Sequence, residues 1–401
     1  MGDARCLAGP ALVEAMRECR ARTLAWTCDL NDTQWRVPQQ PGINPLAWEL
    51  AHLAWFAEFW VLRGPHDVDA KGRTHARRPA AYAGPDALLD SSLLAHADRW
   101  RAPLPSREQA LEMLASQLEA SVAAVPDEDD DDALYFHRLA LFHEDMHSEA
   151  FAWLRAKLEY PPPRGTSLGR VAAPSVELRG VEVRGGEAPI GFDAMRGFAF
   201  DNERPGRLVT LSDFEIDAHS VTAGQYLRFV ESGGYDRPEY WPGAAGTWRA
   251  QSGRHHPARW RRTTNSQSDV RWELRWFDRW QALDPEQPVL HVNAFEAEAW
   301  CLWAARRLPS AAEWEHAARS VSAFEWGHSV WEWTADAFEP YAGFVAGPYR
   351  EYSAPWFGNH RELRGGSFAT HTRMHDARYR NFFMPARSDI FAGFRTMASH
   401  A

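Results

Sequence analysis

A run of three prolines, Pro161-Pro162-Pro163, divides this chain of 401 residues into two parts with different hydrophobic patterns. Before the run, apolar residues recur with the spacing of amphipathic helices. After it come short alternating segments, glycine-rich turns and many aromatic residues. A helix cannot continue through consecutive prolines, because each lacks a backbone N–H and restricts the residue before it. The sequence therefore predicts an α+β protein with two domains, at residues 1–164 and 165–401.

Four long helices are expected in the first part. Their predicted bounds are Ala11–Leu30, Asn44–Arg63, Ser106–Val125 and Asp132–Glu159. Asn44 is expected to cap the second helix, with Pro45 at its first position, and Ser106 to open the third. Four amphipathic helices with one long crossover, at 64–105, are typical of a helix bundle.

One irregular domain is expected after the prolines. Strands are predicted at Val176–Val183 and Leu208–Ile216, and helices at Ala223–Glu231, Ala294–Trp303 and Ser310–Arg319. The charge and the cysteines exclude some functions. A net charge of −10 argues against nucleic-acid binding, and four cysteines without Cys-x-x-Cys spacing indicate neither a disulfide framework nor a zinc knuckle. Without a signal peptide or an apolar run long enough for a membrane span, we expect a soluble, cytoplasmic protein. Nothing in the sequence identifies a protein partner.

His143 and His147 are spaced one turn apart on the fourth predicted helix. Apolar residues share their face, namely Phe136, Leu139, Ala150 and Leu154. A buried pair of neutral imidazoles needs a partner, and a divalent metal satisfies both rings. His52 lies in the middle of the second helix and can face the pair across a bundle. We therefore predict a metal site formed by His52, His143 and His147, with Glu149 as a candidate hydrogen-bond partner of a ligating histidine.

Other interpretations of these histidines stay open. A histidine on an apolar helix is more often a hydrogen-bonded core residue than a ligand. The segment His143–His147 also matches the H-E-x-x-H pattern of zinc proteases, in which the glutamate activates a metal-bound water in an open cleft. The interior of a bundle is the wrong setting for that cleft. A structural zinc site needs a fourth ligand, which we do not find, whereas three nitrogen ligands leave the open positions that an oxygen-activating iron requires.

The segments around the histidines resemble the DinB-like half of the hercynine oxygenases, the sulfoxide synthases of ergothioneine biosynthesis. They are Asn44-Pro45, Trp48–His52, Trp55-Phe56 and His143–Glu149. The second part resembles the C-type-lectin-like formylglycine-generating-enzyme (sulfatase-modifying factor) fold at Phe200–Pro205, Val221–Tyr226, Gly233–Tyr235, Arg307–Glu315, Val330–Thr334, Leu363–Phe368 and Phe391–Arg395. The resemblance covers almost the whole chain. It implies a DinB-like four-helix bundle that carries the metal, followed by a domain that completes the active site.

The resemblance also implies a mononuclear non-haem iron oxygenase, with Fe(II) bound by the three histidines and O₂ and hercynine as substrates. The cysteine pair of true formylglycine-generating enzymes is absent, and Cys301 is expected to be buried. The substrate-binding candidates are Met146, Asn381, Phe382 and Phe383, because of the family position of Asn381 and because aromatic faces hold a trimethylammonium. Trp331 and Trp333 are further candidates, with core packing as their alternative. Tyr341, which follows the Trp-Glu-Trp-Thr motif, is the expected catalytic proton or electron donor, with Tyr349 and Tyr352 as alternatives.

Three departures from the family bear on the second substrate. Met146 stands where the family has a glutamine, and Arg380-Asn381-Phe382-Phe383 stands where it has Arg-Asn-Trp-Asp. The family's Asn-Ser-Tyr-Tyr segment has Asp90-Ser91-Ser92-Leu93 as its best counterpart. The chain thus resembles the branch that couples hercynine to a selenosugar in selenoneine biosynthesis. The alternative is sulfoxide synthesis with cysteine or γ-glutamylcysteine.

Two hypotheses of other classes remain. DinB-like bundles also include zinc-dependent thiol transferases, and a tryptophan-rich domain can serve as a non-catalytic carbohydrate-binding module. Iron content and O₂ consumption separate the iron enzyme from the transferase, whereas loss of a histidine on the fourth helix would leave a binding module unaffected.

Overall fold

The first part of the chain folds into a bundle of four long helices. The computed structural model describes residues 3–163, 180–193, 196–264 and 270–399. The helices of the first part are α1 (Gly9–Ala25), α2 (Asp32–Trp35), α3 (Leu46–Ala57), α4 (Asp86–Leu89), α5 (Arg107–Ala123) and α6 (Asp131–Lys157). The bundle consists of α1, α3, α5 and α6. The crossover between α3 and α5 holds α4 and a hairpin of β1 (His66–Val68) and β2 (Thr74–Ala76).

Of the two predicted N-caps, that of α5 is confirmed and that of α3 is not. Ser106 caps α5 and forms a capping box with Gln109, as its position predicts. Asn44 does not cap α3, because the helix begins one residue later, with Pro45 at the N-cap. The Asn44 side chain instead accepts a hydrogen bond from Arg99 Nη1 at 2.7 Å. After Ala57 the second bundle helix continues as a π-helical turn over Glu58–Leu62.

The second part is a set of small sheets and short helices. Its helices are α7 (Ala223–Glu231), α8 (Ala244–Ser252), α9 (Ala294–Trp303) and α10 (Ala311–Ser320). Its strands are β3 (Gly180–Val183), β4 (Gly186–Ile190), β5 (Arg207–Leu211), β6 (Phe214–Asp217), β7 (Trp260–Thr264), β8 (Val270–Trp276), β9 (Arg279–Ala282), β10 (Arg306–Arg307), β11 (Trp331–Ala337), β12 (Arg361–Arg364), β13 (Asn381–Phe383), β14 (Ala392–Gly393) and β15 (Met397–Ala398).

These strands form two four-stranded sheets and two smaller ones in the described residues. The strand orders are β10-β15-β6-β3, β13-β12-β11-β14, β4-β5 and β7-β8-β9. Pairing is antiparallel except between β11 and β14. The predicted α+β class is confirmed. The predicted strand Val176–Val183 begins outside the described residues. The predicted domain boundary at 164 also lies outside them and stays a prediction.

The two parts pack directly against each other along α6. The Phe142 ring stacks on the Phe198 ring with centroids 5.1 Å apart. Glu149 is buried and accepts hydrogen bonds from Trp331 Nε1 at 2.8 Å and from Ser367 Oγ at 2.7 Å. Because α6 carries two of the predicted metal ligands, this contact brings the second part beside them. No helix in the described ranges is long and apolar enough to cross a bilayer.

Candidate metal centre and substrate pocket

Three histidines from two bundle helices meet at the centre of the molecule. The structure brings together His52 from α3 and His143 and His147 from α6, with one nitrogen of each ring within 4.8 Å of the others. His52 and His143 are both buried. A separation of this size suits three ligands on one face of a divalent ion, so the donor set fits a metal with open coordination positions.

Hydrogen bonds orient two of the three rings. His52 Nδ1 donates to the Leu89 carbonyl at 2.7 Å, and His147 Nδ1 donates to Glu49 Oε1 at 2.8 Å. Each bond leaves Nε2 as the nitrogen that can bind a metal. The His143 ring stacks face to face on Phe56, with centroids 3.6 Å apart and an interplanar angle of 5°.

Burial keeps the imidazoles of His52 and His143 neutral. Desolvation lowers the pKa of His52 to about 3 and holds the pKa of His143 well below its ordinary value. Burial acts to raise the pKa of Glu49, but its contacts with His147, Asn44 and His52 together outweigh this effect and the pKa is lowered. Two of the three candidate ligands are therefore neutral imidazoles, and the third, His147, is hydrogen-bonded to a carboxylate.

Glu49 is the functional residue that sequence reasoning missed. We expected Glu149 as the carboxylate behind a ligating histidine, but Glu149 is occupied by Trp331, Ser367 and Thr370 of the second part. Its position in the sequence could have identified it, because Glu49 is the single carboxylate within the apolar helix α3 and lies one turn before His52. A charged group buried in such a helix needs a partner.

The protease interpretation does not fit the surroundings of Glu144. This glutamate of the H-E-x-x-H pattern forms an ion pair with Arg20 of α1, with Arg20 Nε 2.7 Å from Glu144 Oε1. It is not among the residues that line the cavity beside the histidines. A general base on a metal-bound water has to face that cavity.

A cavity of about 290 Å³ adjoins His143 and His147 and is enclosed by both parts of the chain. Its apolar wall includes Met146, Trp153, Trp331, Phe382 and Phe383. Polar groups come from Asn44, Asn381, Tyr349, Tyr352 and Tyr379. The structure therefore brings the predicted substrate-binding residues Met146, Asn381, Phe382 and Phe383 to one pocket. Trp333 is fully buried and donates to the Val292 carbonyl, which leaves it in the core.

The charged groups of the pocket are already paired within the protein. No lysine or arginine is among its lining residues in the described ranges. Asp145 binds Arg373, with Arg373 Nε at 2.5 Å, and Glu49 and Glu149 accept the hydrogen bonds described above. The pocket thus offers aromatic faces and neutral polar groups to a ligand, and its carboxylates are engaged elsewhere.

The structure does not bring Tyr341 to this pocket. Its ring packs with Ala188 and Ile190 and lies under the Arg380 guanidinium, 3.9 Å from the ring centroid. Its hydroxyl accepts a hydrogen bond from Arg364 Nη2 at 3.2 Å. The prediction that Tyr341 is the proton or electron donor is therefore wrong. The chain after β11 places this tyrosine in a separate cluster of buried ion pairs.

Three other tyrosines line the pocket; the hydroxyls of two of them meet, and the hydroxyl of the third is bonded elsewhere. Tyr379 Oη donates to Met146 Sδ at 3.3 Å and lies 3.1 Å from Tyr352 Oη. The Tyr349 ring meets His143 edge-on with centroids 6.1 Å apart, while its hydroxyl is bonded to Ser91. Burial raises the pKa of Tyr352 and Tyr379, so both remain protonated at neutral pH.

This arrangement defines a candidate metalloenzyme: a helix bundle presents three imidazoles to a pocket that a second α+β domain closes. Residues 15–155 match the DinB superfamily, and residues 173–330 and 327–400 match the Sulfatase-modifying factor enzyme 1-like domain.

Hercynine oxygenases match this chain over almost its whole length. The hercynine oxygenase of Mycolicibacterium thermoresistibile is 30% identical, with 96% of this chain and 94% of the relative covered. That of Mycobacterium tuberculosis is also 30% identical, with 95% and 96% covered. The formylglycine-generating enzyme of Streptomyces coelicolor is 26% identical over 52% of this chain and 85% of its own length. The chain therefore belongs to the hercynine oxygenase family and is an oxidative enzyme.

Proposed function

We propose that this protein is an iron(II)- and O₂-dependent enzyme that joins a selenosugar to C2 of the hercynine imidazole, as a step of selenoneine biosynthesis. The observation that carries the proposal is the pocket beside the three histidines, where Met146, Phe382 and Phe383 form an uncharged wall. Family membership supports hercynine as one substrate. The chemistry of the wall supports a neutral second substrate.

Iron(II) suits the three histidines because they supply three nitrogen ligands and no thiolate. When bound there, iron supplies a centre at which O₂ and a selenolate or thiolate exchange electrons. Glu49 holds the His147 ring in position, and Leu89 does the same for His52. These contacts fix the ligands before the metal arrives.

Each chemical group of hercynine has a suitable counterpart in the pocket. The trimethylammonium suits the aromatic faces of Phe383 and Trp331. The Asn381 Oδ1 atom accepts a hydrogen bond from the Phe382 N–H at 2.9 Å, which leaves the amide nitrogen of Asn381 to donate to a carboxylate. The imidazole then lies toward the histidines, where its C2 atom has to react.

The overall reaction balances with one molecule of O₂. The hydrogen on C2 and the selenol hydrogen leave with one oxygen atom as water, a carbon–selenium bond forms, and the second oxygen atom is transferred to selenium. The Tyr352–Tyr379 pair is the proton donor that we assign to this pocket, since the Tyr379 hydroxyl donates to Met146, next to the ligand His147, and the Tyr352 hydroxyl lies beside it. The Tyr349 hydroxyl turns toward Ser91 instead.

Carbon–sulfur coupling to γ-glutamylcysteine is the second candidate function. Among the described residues that line the pocket, a donor with two carboxylates and an ammonium would find no free charged partner, and unpaired desolvated charges cost several kcal/mol. One observation nevertheless favours the sulfur donor. A separate cavity rich in arginine lies directly behind the wall at Phe383 and Trp153.

A competition assay separates the two donors. The protein is reconstituted with Fe(II) without O₂ and then given O₂, hercynine and equal amounts of a 1-seleno-sugar and γ-glutamylcysteine, and the products are weighed by mass spectrometry. We expect the selenium product to predominate. His143→Ala under the same conditions is the control, and it measures any coupling that does not need the intact metal site. A predominant sulfoxide in the wild-type reaction would overturn the selenium assignment while leaving the iron site in place.

A further inference from the structure

A second cavity, of about 680 Å³, lies beside the substrate pocket, and Gly42 lines both. Five cationic residues from both parts of the chain line it: Lys157, Arg254, Arg259, Arg275 and Arg387. Two carboxylates, those of Glu159 and Asp389, also line it. Among the residues that the structure describes, the lining therefore has a surplus of three positive charges, in a chain whose net charge is −10.

The two carboxylates neutralise only some of these cations. Asp389 lies between Arg387 Nε at 2.8 Å and Lys157 Nζ at 2.9 Å. Glu159 pairs with Arg275 at 2.6 Å. One surplus charge therefore lies on the Arg387–Lys157 pair, which shares Asp389, and the other two lie on Arg254 and Arg259.

Neither Arg254 nor Arg259 forms an ion pair with a carboxylate within the described ranges. Arg254 Nη1 donates to Ser388 Oγ at 3.2 Å, and its guanidinium lies 5.5 Å from the Trp248 ring. The Arg259 side chain makes no hydrogen bond to any described residue, although it is largely removed from water. Burial lowers the pKa of Arg259, because the attraction of the more distant Asp389 and Glu159 is too weak to compensate. By contrast, the pKa of Arg364 is raised, since Glu362, Tyr341 and Glu315 together outweigh its burial. A guanidinium like that of Arg259 lacks a directly bonded anion that would offset its desolvation.

Arg387 separates this cavity from the substrate pocket. Its guanidinium stacks on Trp153 at 4.1 Å and on Phe383 at 4.7 Å, and both rings line the substrate pocket. Its Nη2 atom donates to the Gly42 carbonyl at 3.3 Å. An anion in the second cavity would thus lie immediately behind the aromatic wall.

We propose that this cavity is an oxyanion-binding site, in which Arg254 and Arg259 bind a phosphate or carboxylate group. The planar guanidinium presents paired N–H donors that match the oxygens of both groups. Two sources share this chemistry: free phosphate, or the anionic end of a small molecule that extends from the substrate pocket past Gly42. The site does not depend on which chalcogen the enzyme transfers.

Calorimetric titration of the full-length protein with inorganic phosphate tests this site. We expect saturable binding with one phosphate per chain. Arg259→Gln and Arg254→Gln should each lower the association constant about tenfold or more, since each removes a charge-assisted hydrogen bond to the anion. Arg262→Gln is the matched control, because Arg262 is exposed on β7 and does not line the cavity. Equal phosphate binding by all four proteins, or no saturable binding by the wild type, would overturn the proposal.

Thermal unfolding distinguishes a binding role of Arg259 from a structural one. Without phosphate, Arg259→Gln should leave the midpoint unchanged or raise it, because burial of the replaced charge outweighs its long-range attraction to Asp389 and Glu159 and it forms no ion pair with a described residue. Added phosphate should raise the midpoint of the wild type and of Arg262→Gln, and raise that of Arg259→Gln much less. A lower midpoint of Arg259→Gln in the absence of phosphate, together with an undiminished response to phosphate, would assign Arg259 to the fold and contradict the site.

Competition then identifies the source of the anion. If γ-glutamylcysteine displaces phosphate from the wild type, the cavity holds the anionic end of a donor molecule. If it binds elsewhere and phosphate stays bound, the site takes a free anion. Both results support an oxyanion site, and they distinguish a free anion from the anionic end of a substrate as its ligand.

Discussion

Glu49 Oε1 accepts a hydrogen bond from His147 Nδ1 at 2.8 Å, which joins α3 to α6 directly behind the candidate metal centre. His52 lies on α3 and His143 lies on α6, so this bond helps to fix the distance between the ligands of the two helices. A carboxylate in this position holds the ring in one tautomer and orients it for a metal.

We predict that Glu49→Gln weakens Fe(II) binding by about 10–100-fold, the usual effect of losing a carboxylate behind a ligating histidine. The amide keeps the shape and removes the charge. Anaerobic titration against a chelator measures the affinity. Glu144→Gln is the control, since Glu144 pairs with Arg20 away from the pocket and should keep the wild-type affinity. Unchanged affinity in Glu49→Gln would show that this carboxylate does not support the metal.

The hydroxyls of Tyr352 and Tyr379 are expected to matter for coupling, and that of Tyr341 is not. Tyr379→Phe and Tyr352→Phe keep the rings and remove the proton donors, so coupling should slow by about 10²–10⁴-fold. Tyr341→Phe should retain coupling and lose stability, because the Arg364 guanidinium loses an acceptor. Single-turnover kinetics under O₂ measure the coupling step. A slow Tyr341→Phe with fast pocket variants would return the role to Tyr341.

Phe383 is predicted to select against a charged donor. Phe383→Asp adds a carboxylate to the pocket, which can pair with the ammonium of γ-glutamylcysteine that otherwise has no partner there. The ratio of sulfur to selenium product should rise about tenfold or more in the competition assay, since one such pair is worth at least 1.4 kcal/mol. Phe383→Asn has a similar size without the charge and should not shift the ratio. An equal shift in both variants would point to pocket volume as the cause.

Asp389 gives a pH dependence of stability that can be tested apart from the metal. Arg387 and Lys157 outweigh the effect of burial and lower its pKa from 3.8 to about 2. Because the folded-state pKa lies below the ordinary value, the stabilisation is complete above about 4 and is lost as the pH falls toward 2. A shift of this size corresponds to about 2 kcal/mol of unfolding free energy at neutral pH.

Asp389→Asn should therefore be less stable than the wild type at neutral pH, and the difference should shrink on acidification. Denaturant unfolding of both proteins over that range measures it. A difference that does not change with pH would mean that the ionisation of Asp389 is not its source.

Much of the fold follows from local signals that need no tertiary information. The helices α7 and α9 begin and end at the predicted residues, since Thr222 with Gln225 and Asn293 with Glu296 form capping boxes. The β7-β8-β9 sheet was missed, because arginines interrupt its apolar alternation, as in the segment Val270–Trp276. Its pairing partners, rather than its composition, make it a sheet.

The candidate site likewise contains residues that the sequence predicts and residues that it does not. The one-turn spacing of His143 and His147 on a helix already places both rings on one face. By contrast, a position after the Trp-Glu-Trp-Thr motif does not specify depth in the fold, and Tyr341 enters a different cluster. Glu49 and Glu149 are both buried carboxylates on bundle helices, and only packing decides which of them meets a histidine.

The metal content of His143→Ala tests the central claim most directly. Wild type and variant are reconstituted with Fe(II) without O₂, freed of unbound metal and analysed for iron, with circular dichroism as the check on folding. We predict about one iron per wild-type chain, and in the folded variant a large loss of iron together with loss of O₂-dependent hercynine turnover, since two histidines remain of three. Wild-type iron content in folded His143→Ala would contradict the account.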